Sequence, residues 1–239
     1  MNPIDNTMSL GYTVSVSRRL SNKLDTTMRF DQPLNQLFDH EVKVRVLRFL
    51  CRRGGQWNGR RLAAELQVNP TTMHTALREL RDTTVLDFQK VGSSFVYSLA
   101  DDHYLVQEIL RPAFRQEAQG VAQVAMLLRQ ALGPALHSHV VTAVLYGSVA
   151  RRQERPTSDL DVLFVVRSPH AKRQVQEALN RHWEAVTRRF GNSLAPYVNT
   201  VREAQRKARR GVALFREILT AHQILWGKPL EEVIHGRPT

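Results

Sequence analysis

The sequence has 239 residues and only one cysteine, Cys51, which excludes an internal disulfide. Such cysteine usage is typical of a reducing compartment, so we expect a cytoplasmic protein. No apolar run approaches the roughly 20 residues that a membrane-spanning helix needs. The N-terminus lacks the charged and then apolar layout of a secretory signal. We therefore expect neither a secreted disulfide scaffold nor a membrane protein.

Acidic side chains are also scarce, with 22 Asp and Glu against 34 Lys and Arg and a net charge of +12. Residues 1–135 carry 17 basic and 13 acidic side chains, and residues 136–239 carry 17 and 9. Both halves are thus basic, so the positive charge is not confined to a single basic tail. Such a field favours polyanionic partners, among them nucleic acids, nucleotides and acidic proteins. The charge alone is equally compatible with a basic surface that has no partner.

Residues 1–32 are rich in Ser, Thr, Asn and Arg and show no sustained period, so we expect a flexible N-terminal arm. A short strand at 11–17 is one alternative within it. Met28 is an alternative start of the chain, and the sequence does not decide between Met1 and Met28.

Residues 33–100 have regular patterns. The apolar periodicity predicts three helices, over 39–53, 58–68 and 69–82. Two alternating runs then flank "VGSS", which predicts a β-hairpin.

This order of helix, helix, turn, helix and hairpin resembles a winged helix-turn-helix domain. In that fold the third helix enters the DNA major groove and the hairpin, or wing, touches the backbone or the minor groove. The resemblance implies double-stranded DNA as a partner. The residues it would turn toward DNA are Thr71, Thr72, His74, Thr75 and Arg78 on the helix, and Lys90, Ser93 and Ser94 at the wing tip. Winged helices also serve as protein-docking modules, and that alternative stays open.

A broad apolar stripe predicts one long helix over 101–133, bent at Pro112. We assign residues 101–135 to a linker or dimerisation helix. A simple connector explains the same pattern.

Residues 136–239 contain two apolar runs that predict strands, over 139–146 and 159–166. The first ends at Gly147-Ser148 and the second begins with Asp159-Leu160-Asp161. Residues two apart on a strand share a face, so the two aspartates are expected to project together.

Two carboxylates at this spacing repel each other unless a cation joins them. Mg²⁺, or Mn²⁺, binds a few carboxylates together with phosphate oxygens. Gly147 lets a phosphate approach the backbone closely, and the Ser148 hydroxyl lies near an expected helix N-terminus that favours anions. A metal and a phosphate cradle together imply chemistry on a nucleoside triphosphate such as ATP.

The pattern Gly147-Ser148, ten residues and Asp159-Leu160-Asp161 resembles the signature of the polymerase-β nucleotidyltransferase superfamily, and within it the minimal nucleotidyltransferases. The resemblance implies an α/β domain with a mixed sheet over 136–239, in a chain that is α/β overall. By that resemblance Gly147 and Ser148 hold phosphates, Arg151 lies near them, and Asp159 and Asp161 are the catalytic metal ligands. Arg152 stands where the family usually has glycine.

Active members of that family present a third Asp or Glu on a later strand, where it activates the attacking hydroxyl. The strand expected over 192–201 contains neither residue, and Pro196, Tyr197 and Asn199 occupy its candidate positions. Glu203 comes too late and is expected in the first turn of the next helix.

One helix is predicted over 201–220, followed by a short "ILWG" run. Its cations Arg206, Lys207, Arg209 and Arg210 are interpreted as a solvated face, with a polyanion contact as the alternative.

Two functions remain open. One is a DNA-binding transcriptional regulator whose second domain binds NTP and Mg²⁺, acting as a homodimer because operators are commonly palindromic. The other is an active nucleotidyltransferase that moves an NMP group, AMP being the first choice, to a hydroxyl of a protein, RNA or small molecule. Antitoxin-like activity on a HEPN-type partner is a subcase of the second, by analogy alone.

Overall fold

The computed structural model describes residues 29–236, which fold as two compact units that divide after Arg115. The strand proposed at 11–17, the alternative start at Met28 and most of the arm over 1–32 lie outside the described residues. In the described part of the chain, no helix is both long and apolar enough to cross a bilayer.

The first unit contains three helices and a small sheet. Its helices are α1 (Glu41–Arg53), α2 (Gly59–Glu65) and α3 (Pro70–Asp82), and its strands are β1 (Trp57–Asn58), β2 (Leu86–Val91) and β3 (Ser94–Leu99). The strands are antiparallel, in the order β1-β3-β2. The three predicted helices and the hairpin are confirmed, whereas the two-residue strand β1 was not predicted.

Helix α3 begins at the cap that its sequence favours. The Asn69 Oδ1 accepts a hydrogen bond from the Thr71 N–H at 2.9 Å, and Pro70 occupies the first helical position, where no amide donor is needed. One face of α3 packs in the core of the unit through Met73, Ala76, Leu77 and Leu80. The opposite face is therefore left at the surface.

A buried lysine of α1 forms an ion pair with an acid of α3. Lys43 is only 4% exposed, and its ammonium lies 2.9 Å from an Asp39 carboxylate oxygen and 2.7 Å from one of Glu79. A buried lysine needs such partners because burial penalises its charge. The pair therefore orients the surface face of α3 relative to the rest of the first unit.

The segment after the hairpin is not the single helix predicted over 101–133. It forms a π-helical turn (Leu105–Leu110), then α4 (Arg111–Ala118) and, after a break at Gln119, a further helix. Four of its apolar side chains lie in the first core: Leu105, Val106, Leu110 and Phe114. The apolar stripe thus serves two cores, which one helical period does not reveal.

The second unit is built on a four-stranded sheet. Its elements are α5 (Gly120–His137), β4 (Val140–Leu145), α6 (Gly147–Ala150), β5 (Leu160–Val166), α7 (Pro169–Phe190), β6 (Leu194–Thr200), α8 (Val201–Arg209), α9 (Ala213–Thr220), β7 (Gln223–Gly227) and α10 (Leu230–His235). The strand order is β6-β5-β4-β7, with β5 parallel to β6 and the other pairs antiparallel. The predicted α/β fold with a mixed sheet is confirmed.

Both faces of this sheet are covered, and alternate residues of β5 serve the two sides. Val162 and Phe164 pack with residues of α5 and α7, whereas Leu163 and Val165 pack with residues of α8, α9 and α10. This double burial explains why β5 reads as a continuous apolar run.

The helix predicted over 201–220 is two helices. α8 ends at Arg209, Gly211 adopts a φ of 65°, and α9 starts at Ala213. Glycine reaches this left-handed conformation without steric cost, so the helix ends here. After α9 the chain joins the sheet, where β7 pairs with β4.

Candidate functional site

The turn after β4 brings the backbone directly against a carboxylate. The Tyr146 N–H donates to the Asp161 carbonyl oxygen at 2.9 Å, which joins the end of β4 to the start of β5. Gly147 follows with a φ of 72° and begins α6. A Cβ atom at position 147 would overlap the Asp161 Oδ2 and come within 3.0 Å of its Cγ. Glycine is therefore required here both by conformation and by space.

Asp159 and Asp161 lie at the start of β5. Asp159 immediately precedes the strand and is exposed, whereas Asp161 is half-buried and alternates onto the sheet face of Leu163. Burial and the neighbouring charge of Asp159 raise the pKa of Asp161, and Arg151 opposes this shift. Two carboxylates and one cation are thus within electrostatic reach of each other, an arrangement that a divalent cation would stabilise.

The loop between α6 and β5 folds back on α6. The Gln153 N–H donates to the Ser148 carbonyl oxygen at 2.9 Å, and the Asn192 side chain donates to the Ser158 carbonyl at 2.7 Å. Arg152 has a φ of 56°, the left-handed region that glycine adopts freely. Arg152, which stands where the resemblance predicts glycine, therefore has a backbone conformation that glycine adopts easily. Its side chain adds an exposed positive charge.

No carboxylate stands beside Asp161 on the adjacent strand. The parallel register pairs Asp161 with Ala195, and Tyr197 and Asn199 follow on the same face. Pro196 lies on the opposite face, so its inclusion among the candidate positions was wrong. In the described part of the chain, no group of three or more His, Cys, Asp or Glu side chains is arranged to hold a metal ion. The donor set at the site is a pair of carboxylates, which fits one divalent ion completed by phosphate oxygens and water.

Glu203 is engaged elsewhere. The Thr200 N–H donates to the Glu203 carboxylate at 2.8 Å, and the Glu203 N–H donates to the Thr200 hydroxyl at 3.2 Å, which forms a capping box at the start of α8. The Lys172 ammonium lies 2.8 Å from the same carboxylate. The predicted place of Glu203 in the first turn is confirmed, and its carboxylate caps a helix.

A lysine that sequence reasoning placed on a solvated face points inward. The Lys207 ammonium donates to the Tyr197 hydroxyl at 2.7 Å and to the Asn199 Oδ1 at 2.6 Å, and it lies 4.7 Å from the centre of the Tyr197 ring. Asn199 is fully buried. Lys207 is three residues after the buried Ala204, so helical spacing could have indicated its inward position. The sheet face of Asp161 thus also carries a fixed cation, further along β6 than Ala195.

The residues proposed to face DNA lie at the surface of the first unit. Those that are exposed are Thr71, Thr72, His74 and Arg78 on α3, Lys90 on β2, Ser93 in the turn and Ser94 at the start of β3. Thr75 is half-buried. The helix residues share one face of α3, and Lys90 lies on the hairpin, one residue before the end of β2.

Residues 128–206 match the family model described as "Nucleotidyltransferase domain". This range runs from α5 to α8 and includes the glycine turn and both aspartates. A solved structure titled "Crystal structure of the toxin-antitoxin with AMP-PNP" is 15% identical over 48% of this chain and 81% of that chain, with a TM-score of 0.33. A TM-score this low does not establish a shared fold. The comparison with curated proteins gave no significant match.

Gly147→Ala should damage the site beyond its effect on the backbone. The added Cβ must displace the Asp161 carboxylate, so we expect binding of NTP and Mg²⁺ to weaken by at least about ten-fold. Titration calorimetry with ATP and Mg²⁺ measures the loss. Gly191→Ala is the matched control, because Gly191 has a φ of 76° and a Cβ there would meet no atom within 4 Å. It should cost about 1 kcal/mol of stability and leave binding intact. Equal binding by both variants would contradict the steric role of Gly147.

Glu203→Ala should lower the free energy of unfolding by about 1 kcal/mol near neutral pH, because it removes a helix cap. Although partial burial acts in the opposite direction, hydrogen bonds from Lys172 and from the Thr200 backbone hold the pKa of Glu203 below its ordinary 4.5. A lowered folded-state pKa stabilises the fold above the unfolded-state pKa, and the effect disappears as pH falls through the folded-state value.

Urea unfolding of wild type, Glu203→Ala and Glu203→Gln at about pH 7 and about pH 3 separates the two contributions. Glutamine can keep the cap without the charge, so its deficit relative to wild type should shrink in acid. A deficit that is the same at both pH values would show that the charge contributes nothing.

Proposed function

We propose that this protein is a DNA-binding regulator whose second unit binds a nucleoside triphosphate with one divalent metal ion. The observation that carries the nucleotide part is the contact between Gly147 and Asp161. Because glycine has no side chain, the carboxylate proposed to bind the metal ion lies directly against the backbone of the turn. The match of residues 128–206 to the nucleotidyltransferase domain supports it independently.

Asp159 and Asp161 would hold the metal ion, Mg²⁺ or Mn²⁺, which supplies positive charge to the phosphates when bound. The remaining contacts come from the chain itself. Gly147 lets the Asp161 carboxylate lie against the backbone at the end of β4, and Ser148 offers a hydroxyl to a phosphate. Arg151, whose charge already acts on Asp161, adds attraction for the triphosphate.

Nucleotidyl transfer is the second candidate, and the domain match favours it. In that reaction an acceptor hydroxyl oxygen bonds to the α-phosphorus, the bond from that phosphorus to pyrophosphate breaks, and the hydroxyl proton passes to a base. Ala195 stands where a carboxylate base would adjoin Asp161, so water would have to accept the proton. Loss of a positioned base commonly costs about two to four orders of magnitude in rate. We therefore place binding ahead of transfer.

The arrangement of the first unit supports the DNA part of the proposal. Three helices precede a β-hairpin, and the exposed face of α3 offers hydroxyls, an imidazole and the Arg78 guanidinium. Such groups contact phosphates and base edges in major-groove readers. A homodimer would match a palindromic site.

The double variant Asp159→Asn, Asp161→Asn should bind ATP and Mg²⁺ at least about ten-fold more weakly than wild type, because both metal-binding charges are lost. Titration calorimetry and thermal shift measure this loss of binding. The control variant Glu184→Gln, which neutralises an exposed acid on α7, should behave as wild type.

Incubation with α-labelled ATP and cell extract tests nucleotidyl transfer. Label transfer that depends on both aspartates would favour nucleotidyl transfer over binding alone. If the protein binds no common NTP, both the nucleotide-binding part of the proposal and nucleotidyl transfer are wrong.

Arg78→Ala should weaken DNA binding and, where the arginine contacts a phosphate, reduce the slope of log affinity against log salt by about one. Fluorescence anisotropy with a duplex selected from a random-sequence pool measures both quantities. Arg188→Ala removes the same charge from an exposed position on α7 and should change little. If wild type ignores every duplex at low salt, the regulator proposal is wrong.

A further inference from the structure

The outer side of α8 concentrates the positive charge of the second unit. Residues 201–210 contain five basic side chains and one acidic side chain, so they supply +4 of the +8 carried by residues 136–239. One of the five, Lys207, points inward to Tyr197. The other four are exposed at the surface: Arg202, Arg206, Arg209 and Arg210.

Three of these arginines share one face of the helix. Arg202, Arg206 and Arg209 follow each other at i, i+4 and i+7, the spacing that places side chains one above the other. We call these three residues the arginine row. It spans seven residues of helix, which corresponds to about 10 Å. The other side of α8 packs in the core of the unit through Ala204 and Ala208.

Among the residues that the structure describes, no carboxylate forms an ion pair with the arginine row. Glu203, the one acid of α8, lies 2.8 Å from the Lys172 ammonium and caps its own helix. The neighbouring helix α9 carries one exposed cation, Arg216, and one exposed acid, Glu217, so it leaves the local balance unchanged. The positive charge of the row is therefore not neutralised by the fold.

The acids of α10, which packs beside α8, are occupied by other partners. The Glu231 carboxylate lies 3.7 Å from the His222 ring nitrogen, and the Glu232 carboxylate lies 3.4 Å from the Lys228 ammonium. The surface around the arginine row thus offers it no counterion, and a polyanion from outside would supply one.

Helix stability does not explain the arginine row. Like charges three or four residues apart destabilise a helix. The helix dipole favours cations in the last turn, which accounts for Arg206 and Arg209, but it disfavours a cation in the first turn, where Arg202 stands. The row is therefore unfavourable for the isolated fold, and a bound anion would remove this cost.

The backbone of α8 is held firmly in place. The capping box fixes its start, and the Gln205 side-chain amide donates to the carbonyl oxygens of Val233 and Gly236 at 3.0 Å and 3.1 Å. Binding at the arginine row would therefore order only the arginine side chains and not the helix, which keeps the entropic cost of binding low.

We propose that the arginine row binds the phosphate backbone of the same duplex that the first unit reads, an inference that rests on DNA binding by the first unit. About 10 Å of duplex carries about six phosphate charges, enough to match three arginines. Guanidinium groups bind phosphates through paired hydrogen bonds.

The tether between the two units favours DNA as the polyanion. The units are consecutive in one chain and divide after Arg115, so a duplex held by the first unit is presented to the second at high effective concentration. Phosphate contacts carry no base information. The arginine row would therefore add affinity for DNA without adding sequence specificity.

The test uses the full-length chain, a duplex that this chain selects from a random-sequence pool, and a scrambled duplex of the same length, both with random flanks. The variant Arg202→Gln, Arg206→Gln, Arg209→Gln should bind both duplexes at least about ten-fold more weakly at about 0.1 M salt. The slope of log affinity against log salt should fall by up to about three, because each lost phosphate contact accounts for about one. The ratio of the two affinities should match wild type, since the lost contacts do not read sequence. Fluorescence anisotropy measures all three quantities.

Arg173→Gln, Arg181→Gln, Arg189→Gln is the matched control. It removes three exposed arginines of the same unit that are spaced eight residues apart along α7 and form no row. It should change the salt slope by less than about one.

Replacement of the arginine row by three lysines keeps the charge and should keep the wild-type salt slope. Circular dichroism and binding of ATP and Mg²⁺ check that each variant is folded. If the triple glutamine variant fails this check, Arg206→Gln alone replaces it and should lower the slope by about one.

The outcomes separate the two proposals. Wild-type affinity and slope in the triple glutamine variant would overturn the role of the arginine row and leave DNA binding by the first unit intact. An equal loss in the α7 control would assign the effect to net charge and also overturn it. Failure of wild type to bind any duplex would overturn both proposals. Unchanged duplex binding together with lost binding to a single-stranded RNA would assign the row to RNA and overturn the proposal.

Discussion

The second unit depends on one steric relationship, in which the backbone at Gly147 touches the side chain of Asp161. The contact is possible because β4 and β5 are antiparallel neighbours, so the end of one strand meets the start of the other. The carboxylate cannot move toward β4, and any group bound to it must approach from the opposite side.

The same sheet face combines opposite charges in separate places. The acid pair stands at the start of β5, and Lys207 is held further along β6 by Tyr197 and Asn199. A metal ion would be attracted to the first place and a phosphate to the second. The face is thus polarised along the strands before any ligand binds, which orients a molecule that carries a metal at one end.

Local sequence was sufficient for features set by neighbours in the chain. The cap of α3, the hairpin and the glycine turn before the two aspartates were all predicted correctly. Features that depend on the register between strands, or on where a helix breaks, were not predicted correctly. Pro196 stood among the candidate positions for a third acid because an alternating pattern does not show which residues face the acids until the register is known. The break at Gly211 was missed because glycine in a helical pattern is also tolerated without a break.

The pairing of β7 with β4 has a consequence for the edge of the sheet. β4 is an apolar strand that would otherwise present unpaired backbone groups to solvent, and β7 covers it. Exposed apolar edges template strand addition from other molecules. β7 therefore takes the edge in place of the more deeply buried β4. Removing the C-terminal strand would expose that apolar edge and favour aggregation, even though every candidate ligand-binding residue remained.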